Sequence, residues 1–296
     1  MKRVVECVPN FSEGRRPEII TRIVQALEGV SEVKVLDISS DPAHNRTVVT
    51  FVGAPEGVAE AAFAAIARAA ELIDMDNHQG EHPRMGATDV VPFVPIAGVI
   101  MEDCVQIARQ VGARVGQELG IPVYLYQEAA TRPDRVNLGE LRPKSHQYEQ
   151  KKTDVGRDSR WDPDFGPRQV GKAGITAIGA RPPLIAYNIY LTTDDVDLAE
   201  RVARAIRHSS GGLAFVKARG FLVDGKAQVS MNLTDFRHTP IHRVVEMVRR
   251  EAARYGVGIQ SSELVGLIPQ QALVDAAVWY LQLDNFDDKA ILENHL

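Results

Sequence analysis

Apolar residues in the second half of the chain recur with two different spacings. Every second residue is apolar in the run at 185–191, which predicts a strand, and Asp-Gly at 224–225 separates two further β-rich runs, the strongest short signal for a hairpin. Thr193 is in position to cap a helix, and a short strand is predicted at 257–260. Apolar residues three and four apart predict helices at 194–206, 240–255 and 269–280. The predicted order is therefore βαββαβ plus one helix, the plan of a ferredoxin-like fold.

The first half repeats this order with weaker signals. The run DVVPFVPI at 89–96 is strand-like but contains Pro92 and Pro95, which cannot donate ladder hydrogen bonds. We therefore predict that it is an edge strand or merely extended. The other strands are predicted at 4–8, 33–38, 46–52 and 122–126, and the helices at 17–27, 63–73 and 104–119.

The two patterns together predict an α+β protein made of two α/β subdomains, each with a ferredoxin-like βαββαβ arrangement. We predict boundaries at 1–180 and 181–296, with a long polar segment at 127–180 belonging to the first subdomain. Prolines and glycines interrupt this segment, which predicts an irregular structure. Trp161 and Phe165 within it argue against pure disorder. A cleft between two such halves is the default place for a ligand.

Composition excludes several classes of partner. The chain has 296 residues, 45% of them hydrophobic and 25% charged, which is typical of a soluble globular protein. Its net charge of −5 provides no basic field for nucleic acid or an anionic membrane, and no stretch is long and apolar enough to cross a bilayer. The two cysteines, Cys7 and Cys104, are too few for a disulfide framework and are predicted to be buried. We therefore predict a cytoplasmic protein that binds neither nucleic acid nor membrane.

The stretch NHQGEHPRMG at 77–86 concentrates candidate chemistry. His78, Glu81 and His82 form H-x-x-E-H, a zinc-hydrolase spacing that requires both histidines on one helix face. Gly80 and Pro83 oppose a helix here, so we predict that no metal is bound. The remaining interpretations of His82 are a catalytic acid and base on a loop, or a hydrogen-bonded loop histidine without a catalytic role.

Two histidines in the second half also lie four residues apart. His238 precedes the predicted cap at Thr239, so it does not share a helix face with His242. We predict that both are solvent-exposed.

A resemblance to a known family covers nearly the whole chain. It is carried by VECVPNFSEG (5–14), NRTVVTFVG (45–53), LIDMDNHQGEHPRMGATDVVPFVP (72–95), PVYLYQEAA (122–130), DPDFGP (162–167) and SELVGLIP (262–269). These stretches resemble the glutamate formimidoyltransferase (formiminotransferase) family. The resemblance implies two α/β subdomains, a homodimer, and transfer of the formimino group from N-formimino-L-glutamate to N5 of the co-substrate tetrahydrofolate in histidine degradation.

The resemblance also implies roles for individual residues. The family's catalytic histidine falls on His82, and its folate-binding segment falls on Asp164, Phe165, Gly166, Pro167, Arg168, Lys172 and Gly174.

Residue chemistry extends these assignments to the substrates. The formimino group is an amidine, so a carboxylate beside it, Glu81 or Asp89, stabilises its positive charge. Asn10 is a candidate polar contact at the end of the first strand. The carboxylates of the substrates require cations, for which Arg46, Arg84, Arg168 and Lys172 are candidates. Two alternatives remain open: a related one-carbon enzyme that uses formiminoglycine or 5-formyltetrahydrofolate, and a noncatalytic folate-binding protein.

Overall fold

The computed structural model describes residues 2–81, 83–143 and 145–295. The chain divides into two compact units, Met1–Pro182 and Pro183–Leu296. The described residues form eleven strands in two sheets and eight α-helices. The protein therefore has the mixed α/β architecture in two parts that the sequence predicts.

The first unit contains the larger sheet. Its strands are β1 (Val4–Cys7), β2 (Asn10–Phe11), β3 (Val33–Asp41), β4 (Arg46–Gly53), β5 (Thr88–Ala97), β6 (Val123–Gln127) and β7 (Thr176–Ala180). Its helices are α1 (Pro17–Glu28), α2 (Pro55–Leu72), α3 (Met101–Glu118), α4 (Leu138–Leu141) and α5 (Tyr148–Asp154).

The strands lie in the order β3, β4, β1 with β2, β5, β7, β6. β5, β7 and β6 run parallel, and the other pairs are antiparallel. α1, α2 and α3 pack against one another and against this sheet, because each has one apolar stripe to bury. Both cysteines are buried as free thiols in this unit, as predicted.

The prediction that residues 89–96 form an edge strand is wrong. β5 lies inside the sheet, paired with β1 and β2 on one side and with β7 on the other. Pro92 is accommodated because it lies opposite Val8 and Pro9, where the partner strand is interrupted between β1 and β2. Its carbonyl still accepts a hydrogen bond from the Val8 N–H at 3.3 Å. The missing N–H of Pro92 therefore removes no hydrogen bond from the sheet at this point.

The prediction of an irregular segment through residue 180 is also wrong at its C-terminal end. All five residues of β7 are buried, and β7 lies between β5 and β6. Gly179 is required there, because a Cβ would collide with the carbonyl and the ring of Tyr126. The strand was missed because five residues after a glycine-rich stretch give too short a periodic signal, and its pairing partners lie far away in the chain.

The second unit consists of β8 (Ile185–Leu191), α6 (Val196–Ile206), β9 (Val216–Val223), β10 (Lys226–Leu233), α7 (Ile241–Ala253), β11 (Ile259–Val265) and α8 (Gln270–Leu281). This is the predicted order of elements. The sheet is antiparallel with strand order β11, β8, β10, β9, and the hairpin at 224–225 is present. α6 and α7 pack against each other, and α6 also covers β9 and β10.

Three local predictions in this unit are corrected. The cap of α6 is Asp195, whose Oδ1 accepts from the Leu198 N–H at 3.0 Å, while the Thr193 hydroxyl accepts from the Asp195 N–H two residues before the helix is capped. The strand predicted at 257–260 corresponds to β11, which begins and ends later in the chain. The prediction was misplaced because β11 is an edge strand with mostly exposed side chains and so lacks an alternating pattern. His242 is only 6% exposed, because α8 covers it and the Trp279 ring stacks on it at 5.0 Å.

Candidate active site

Residues 74–87 connect α2 to β5 and contain the NHQGEHPRMG stretch. The Asp74 carboxylate accepts from the Asp76 N–H at 3.0 Å and caps a single 3-10 turn, Met75–Asn77. No helix follows in the described parts of this connection, 78–81 and 83–87, where Gly80 and Pro83 oppose one. His82, the predicted catalytic residue, lies outside the described residues. Its described neighbour Glu81 is exposed, and the Glu81 N–H donates to the Ala43 carbonyl at 3.4 Å.

The C-terminal end of the predicted folate segment contacts the connection between α2 and β5. The Met75 N–H donates to the Lys172 carbonyl at 2.9 Å, and the Ala87 N–H donates to the Ala173 carbonyl at 2.8 Å. Gly174 has a φ of +74°, and a Cβ on it or on Gly86 would collide with the opposite backbone. Glycine is therefore needed at both positions for the two segments to approach this closely.

The N-terminal end of the predicted folate segment is hydrogen-bonded to β6 and to the residues that follow it. The Asp164 carboxylate accepts from the Leu125 N–H at 2.8 Å, from Arg135 at 2.5 Å and from the Thr131 hydroxyl. The Phe165 carbonyl accepts from the Val123 N–H at 2.9 Å. These contacts connect the segment to β6, so Asp164 and Phe165 stabilise this part of the fold.

The next three positions are more open. Gly166 has a φ of +86°, and a Cβ on it would collide with the Ile121 carbonyl. Pro167 and Arg168 are exposed. Arg168 pairs with Asp162 at 2.9 Å, and Lys172 pairs with Asp74 at 3.2 Å. Both cations are largely exposed, so these pairs contribute little to stability and can exchange partners.

His78 is a neutral imidazole with a defined tautomer. Its Nε2 lies 3.0 Å from the Asn45 carbonyl, which can only accept, so Nε2 carries the proton. Its Nδ1 accepts from Nε of Arg84 at 3.1 Å. Burial lowers the pKa of His78, and the charge of Arg84 acts in the same direction. Both ring nitrogens are engaged, so this tautomer offers no lone pair to a zinc ion.

Arg84, a candidate for binding a substrate carboxylate, is surrounded by acceptors. Its guanidinium donates to His78, to Gln147 and to both carboxylate oxygens of Glu149, which belongs to α5. Its side chain is 13% exposed. The backbone carbonyl of Arg84 accepts from the Tyr148 N–H at 3.1 Å. The connection is thereby joined to the start of α5.

Asp89 lies at the start of β5 and is 1% exposed. Its Oδ1 accepts from the Met85 N–H at 2.8 Å, and its Oδ2 accepts from Arg142. Arg142 also donates to the Pro83 carbonyl at 3.3 Å. Burial is the main cause that lowers the pKa of Arg46, and repulsion from Arg142 adds to it, while Asp89 raises it. Two guanidinium groups thus share the field of one buried carboxylate.

Asn10 lies in β2, between Val48 of β4 and Val90 of β5. Its side-chain amide donates to the Val8 carbonyl at 3.0 Å, across the interruption between β1 and β2.

A cavity of about 380 Å³ adjoins the connection. It is lined by Glu13, Arg15, Arg16, Asn45, Leu72, Asp74, Asn77 and His78. Burial raises the pKa of Glu13, but hydrogen bonds from the Arg15 and Arg16 N–H groups and the Arg16 side chain outweigh it, so the pKa lies below its usual value. The Asn45 side chain accepts from the Gly14 N–H and donates to the Gln79 carbonyl, which joins this wall to the connection.

Sequence reasoning missed Arg142, Gln147, Glu149, Glu13 and Asn45. Asn45 and Glu13 lie inside stretches that carry the family resemblance, which was the one signal available for them. The other three come from the segment between β6 and β7, where no periodicity identifies them.

Two features are absent from the described part of the chain. Within residues 2–81, 83–143 and 145–295, no group of three or more His, Cys, Asp or Glu side chains could hold a metal ion. None of the helices described there is long and apolar enough to cross a membrane.

Two family models match the chain. The formiminotransferase domain, N-terminal subdomain, matches residues 4–181, and the formiminotransferase domain matches residues 186–295. The chain belongs to the formiminotransferase family. Full-length relatives agree with these matches: a glutamate formimidoyltransferase of Thermoplasma acidophilum is 55% identical, with 99% of this chain and 97% of the relative covered.

Two further relatives show the same family in other organisms. A glutamate formimidoyltransferase of Streptococcus pyogenes serotype M1 is 46% identical, with 100% of this chain and 99% of the relative covered. A formimidoyltransferase-cyclodeaminase of Sus scrofa is 45% identical, with 96% of this chain but 54% of the relative covered. The chain therefore spans about half of the pig protein and nearly all of the two microbial ones.

Proposed function

We propose that the protein transfers the formimino group from N-formimino-L-glutamate to N5 of tetrahydrofolate, giving 5-formiminotetrahydrofolate and L-glutamate. The observation that carries this proposal is the 55% identity to the Thermoplasma acidophilum glutamate formimidoyltransferase over 295 residues. The contact of residues 173–175 with residues 85–87 supports it, because the predicted folate segment then ends beside the EHPRMG block.

The reaction requires two proton transfers. N5 of tetrahydrofolate attacks the formimino carbon and loses a proton, and the glutamate nitrogen gains a proton as its bond to that carbon breaks. His82 takes the first proton and delivers the second, because an imidazole with a pKa near neutrality serves as both base and acid. The supporting observation is the match of residues 81–86 to the family motif.

The cationic amidine is stabilised by Glu81 rather than Asp89. Both oxygens of Asp89 are already bonded, to the Met85 N–H and to Arg142, and the residue is buried. Glu81 is exposed and lies next to His82 in the sequence. Asp89 therefore positions Met85 and Arg142, and Glu81 supplies the free carboxylate.

The substrate carboxylates are recognised by the arginines near Asp89. Arg46 and Arg142 both lie near the buried Asp89, so this region offers two guanidinium groups to a substrate carboxylate. Lys172 and Arg168 supply further cations for the glutamate end of the folate, because their exposed ion pairs are easily exchanged. Asn10 contributes a polar contact from β2, and Gly166, Pro167 and Gly174 shape the backbone against the folate.

A panel of donors tests the reaction. Purified protein with tetrahydrofolate is given formiminoglutamate, formiminoglycine or 5-formyltetrahydrofolate, and the products are measured by mass spectrometry. We expect turnover with formiminoglutamate and at most trace turnover with the others. Preferred turnover of another donor identifies the related one-carbon enzyme, and folate binding without any turnover identifies a noncatalytic binding protein.

Replacing His82 tests the mechanism. We expect His82→Ala to lower kcat by about 10²–10⁴-fold, the range for a well-placed acid and base, while the Kd for 5-formyltetrahydrofolate stays nearly unchanged. His238→Ala is the matched control, because this exposed histidine pairs with Asp235 in the second unit. A fall of less than about tenfold in a folded His82 variant contradicts the assignment.

The remaining parts of the proposal follow from the family and from composition. The enzyme works as a cytoplasmic homodimer without a bound metal, and it binds neither nucleic acid nor membrane. The two free, buried thiols fit a reducing compartment. Sedimentation equilibrium and elemental analysis of the purified protein test the dimer and the absence of metal.

A further inference from the structure

The guanidinium of Arg84 has no donor left for a substrate. Arginine carries five N–H donors. Nε donates to Nδ1 of His78 at 3.1 Å, and Nη2 donates to the His78 carbonyl at 2.9 Å and to Oε1 of Glu149 at 2.6 Å. Nη1 donates to the Gln147 side chain and to Oε2 of Glu149, both at 3.2 Å. Five donors therefore make five bonds to groups of the protein itself.

These bonds continue on the other side of His78. Its Nε2–H donates to the Asn45 carbonyl at 3.0 Å, at the residue that precedes β4. Because Nδ1 is an acceptor, it can receive the Arg84 Nε–H only while His78 is neutral. One line of hydrogen bonds thus runs from the start of β4 through His78 and Arg84 to the start of α5.

This line of hydrogen bonds includes two residues of the connection between α2 and β5. His78 and Arg84 are its two members within the connection between α2 and β5, and His82 lies between them in the sequence. α5 also contacts the 3-10 turn of the connection, because the Tyr148 hydroxyl donates to Asp76 at 2.8 Å and Lys152 pairs with Asp76 at 2.5 Å. α5, to which no other role has been assigned, therefore braces the connection at two places.

We infer that Arg84 is a positioning residue, which together with His78 and Glu149 holds residues 78–81 and 83–84 in the geometry needed for the transfer, and that it does not bind a substrate carboxylate. The kinetic part of this inference rests on the proposed function, and its structural part does not. A lysine cannot replace this arginine, because an ammonium cannot reproduce a planar fork that meets an imidazole and a carboxylate together. A small displacement of a catalytic group lowers the rate without weakening ground-state binding.

The kinetic test compares Arg84→Lys and Glu149→Gln with the parent. We expect Arg84→Lys to lower kcat by about 10²-fold while KM for formiminoglutamate changes less than about threefold. Glu149→Gln, which is partly exposed and conservative, should lower kcat by about threefold to tenfold, and the double variant should lose less than the product of the two single effects. If Arg84 bound substrate, Arg84→Lys would raise KM instead, and Glu149→Gln would release Arg84 and leave kcat unchanged. Either result overturns the inference.

The matched control is Arg114→Lys. Arg114 also forms ion pairs with glutamate, in its case with Glu60 and Glu118, but it does so on the exposed surfaces of α2 and α3. We expect parent values of kcat and KM. If Arg114→Lys lowers kcat as much as Arg84→Lys, the effect belongs to arginine pairs in general and the inference fails.

Hydrogen exchange gives a readout that does not depend on the reaction. Backbone amides of residues 78–87 should exchange faster in Arg84→Lys and Glu149→Gln than in the parent, while β3 and β4 stay unchanged. Unchanged exchange at 78–87 overturns the positioning role even if kcat falls. If the parent shows no transfer to tetrahydrofolate, the proposed function fails, and the exchange experiment still decides whether Arg84 holds the connection.

Discussion

The first unit contains the order of strands and helices found in the second, extended by β2, β6, α4, α5 and β7, and the two units differ in what they bury. In the first unit, Glu13, Asp89, Arg135 and Lys151 are buried. Among the described residues of the second unit, no Asp, Glu, Lys or Arg is buried, and the buried polar side chains are Gln228, Thr239 and His242. Burial of a charge is costly unless it is paired, so a unit that needs only apolar packing avoids it. The difference indicates where the structure holds ionisable groups at fixed positions.

Three of these four buried groups, Glu13, Asp89 and Arg135, lie around the candidate site and the segment beside it. Asp89 holds the backbone of the connection at Met85, Glu13 holds the backbone that precedes α1, and Arg135 holds Asp164. Each is bonded to backbone groups as well as to a partner of opposite charge. These groups therefore act by fixing loops, which apolar packing cannot do with the same precision of direction.

The two tryptophans allow the units to be followed separately, because Trp161 lies in the first and Trp279 in the second. Trp279→Phe leaves only the fluorescence of the first unit, and Trp161→Phe leaves only that of the second. The following predictions use these two backgrounds.

The largest effect is expected for Asp89→Ala in the Trp279→Phe background. The substitution leaves Arg142 without its carboxylate and the Met85 N–H without its acceptor. Breaking a buried pair in this way should lower the free energy of unfolding of the first unit by about 3–5 kcal/mol. Urea unfolding followed by fluorescence measures the change.

Its counterpart in the second unit is Glu200→Ala in the Trp161→Phe background. Glu200 accepts from Arg207 at 3.1 Å and from the Gly220 N–H at 2.9 Å, but its side chain is 30% exposed. We expect a loss of about 1 kcal/mol. Equal losses for the two variants would show that burial is not what distinguishes the units.

The second effect concerns Lys151, which has 0% exposure and lies over the Trp161 ring. Burial lowers the pKa of Lys151 to about 6. Between this value and the ordinary lysine pKa, the unfolded chain holds the extra proton, so the stability of the first unit rises with pH, by up to about 1.4 kcal/mol per pH unit. From pH 6.5 to 8.5 the parent should therefore gain stability relative to Lys151→Met, as measured by urea unfolding at each pH.

Lys152→Met is the control for this slope. Lys152 lies on the same helix but is exposed and pairs with Asp76, which raises the pKa of Lys152 above its usual value. Its contribution is constant below the unfolded lysine pKa, so the variant should keep the slope of the parent. If Lys151→Met keeps that slope too, Lys151 does not lose its proton in the folded protein.

The smallest effect is expected for His242→Phe in the Trp161→Phe background. Burial lowers the pKa of His242, so the folded state stays neutral where the unfolded chain is protonated. The stability contributed by the neutral imidazole is present above the unfolded histidine pKa of about 6.5 and decreases as the pH falls below it. His242→Phe should remove this part of the acid sensitivity and otherwise change stability by about 1 kcal/mol or less. An equal loss of stability at low pH in the parent and in His242→Phe would contradict this prediction.

The sequence by itself determined the elements whose signals are local. The alternation at 185–191 and the Asp-Gly turn at 224–225 predict β8 and the β9–β10 hairpin, because strand pitch and turn geometry involve only neighbouring residues. The family motifs predict His82 as the catalytic residue and 164–174 as the folate segment, and each motif is contiguous in the chain. Features that depend only on residues close together in the sequence could therefore be predicted from it.

Only the tertiary structure decided which strands are interior and which charges are partners. β5 and β7 lie inside the sheet because of pairing partners far away in the chain, and no rule about proline or length contains that information. The partner of Asp89 is Arg142 and that of Arg84 is Glu149, more than fifty residues away in each case. A charged side chain is bonded to whatever the fold brings within about 3 Å of it, and sequence spacing does not specify that distance.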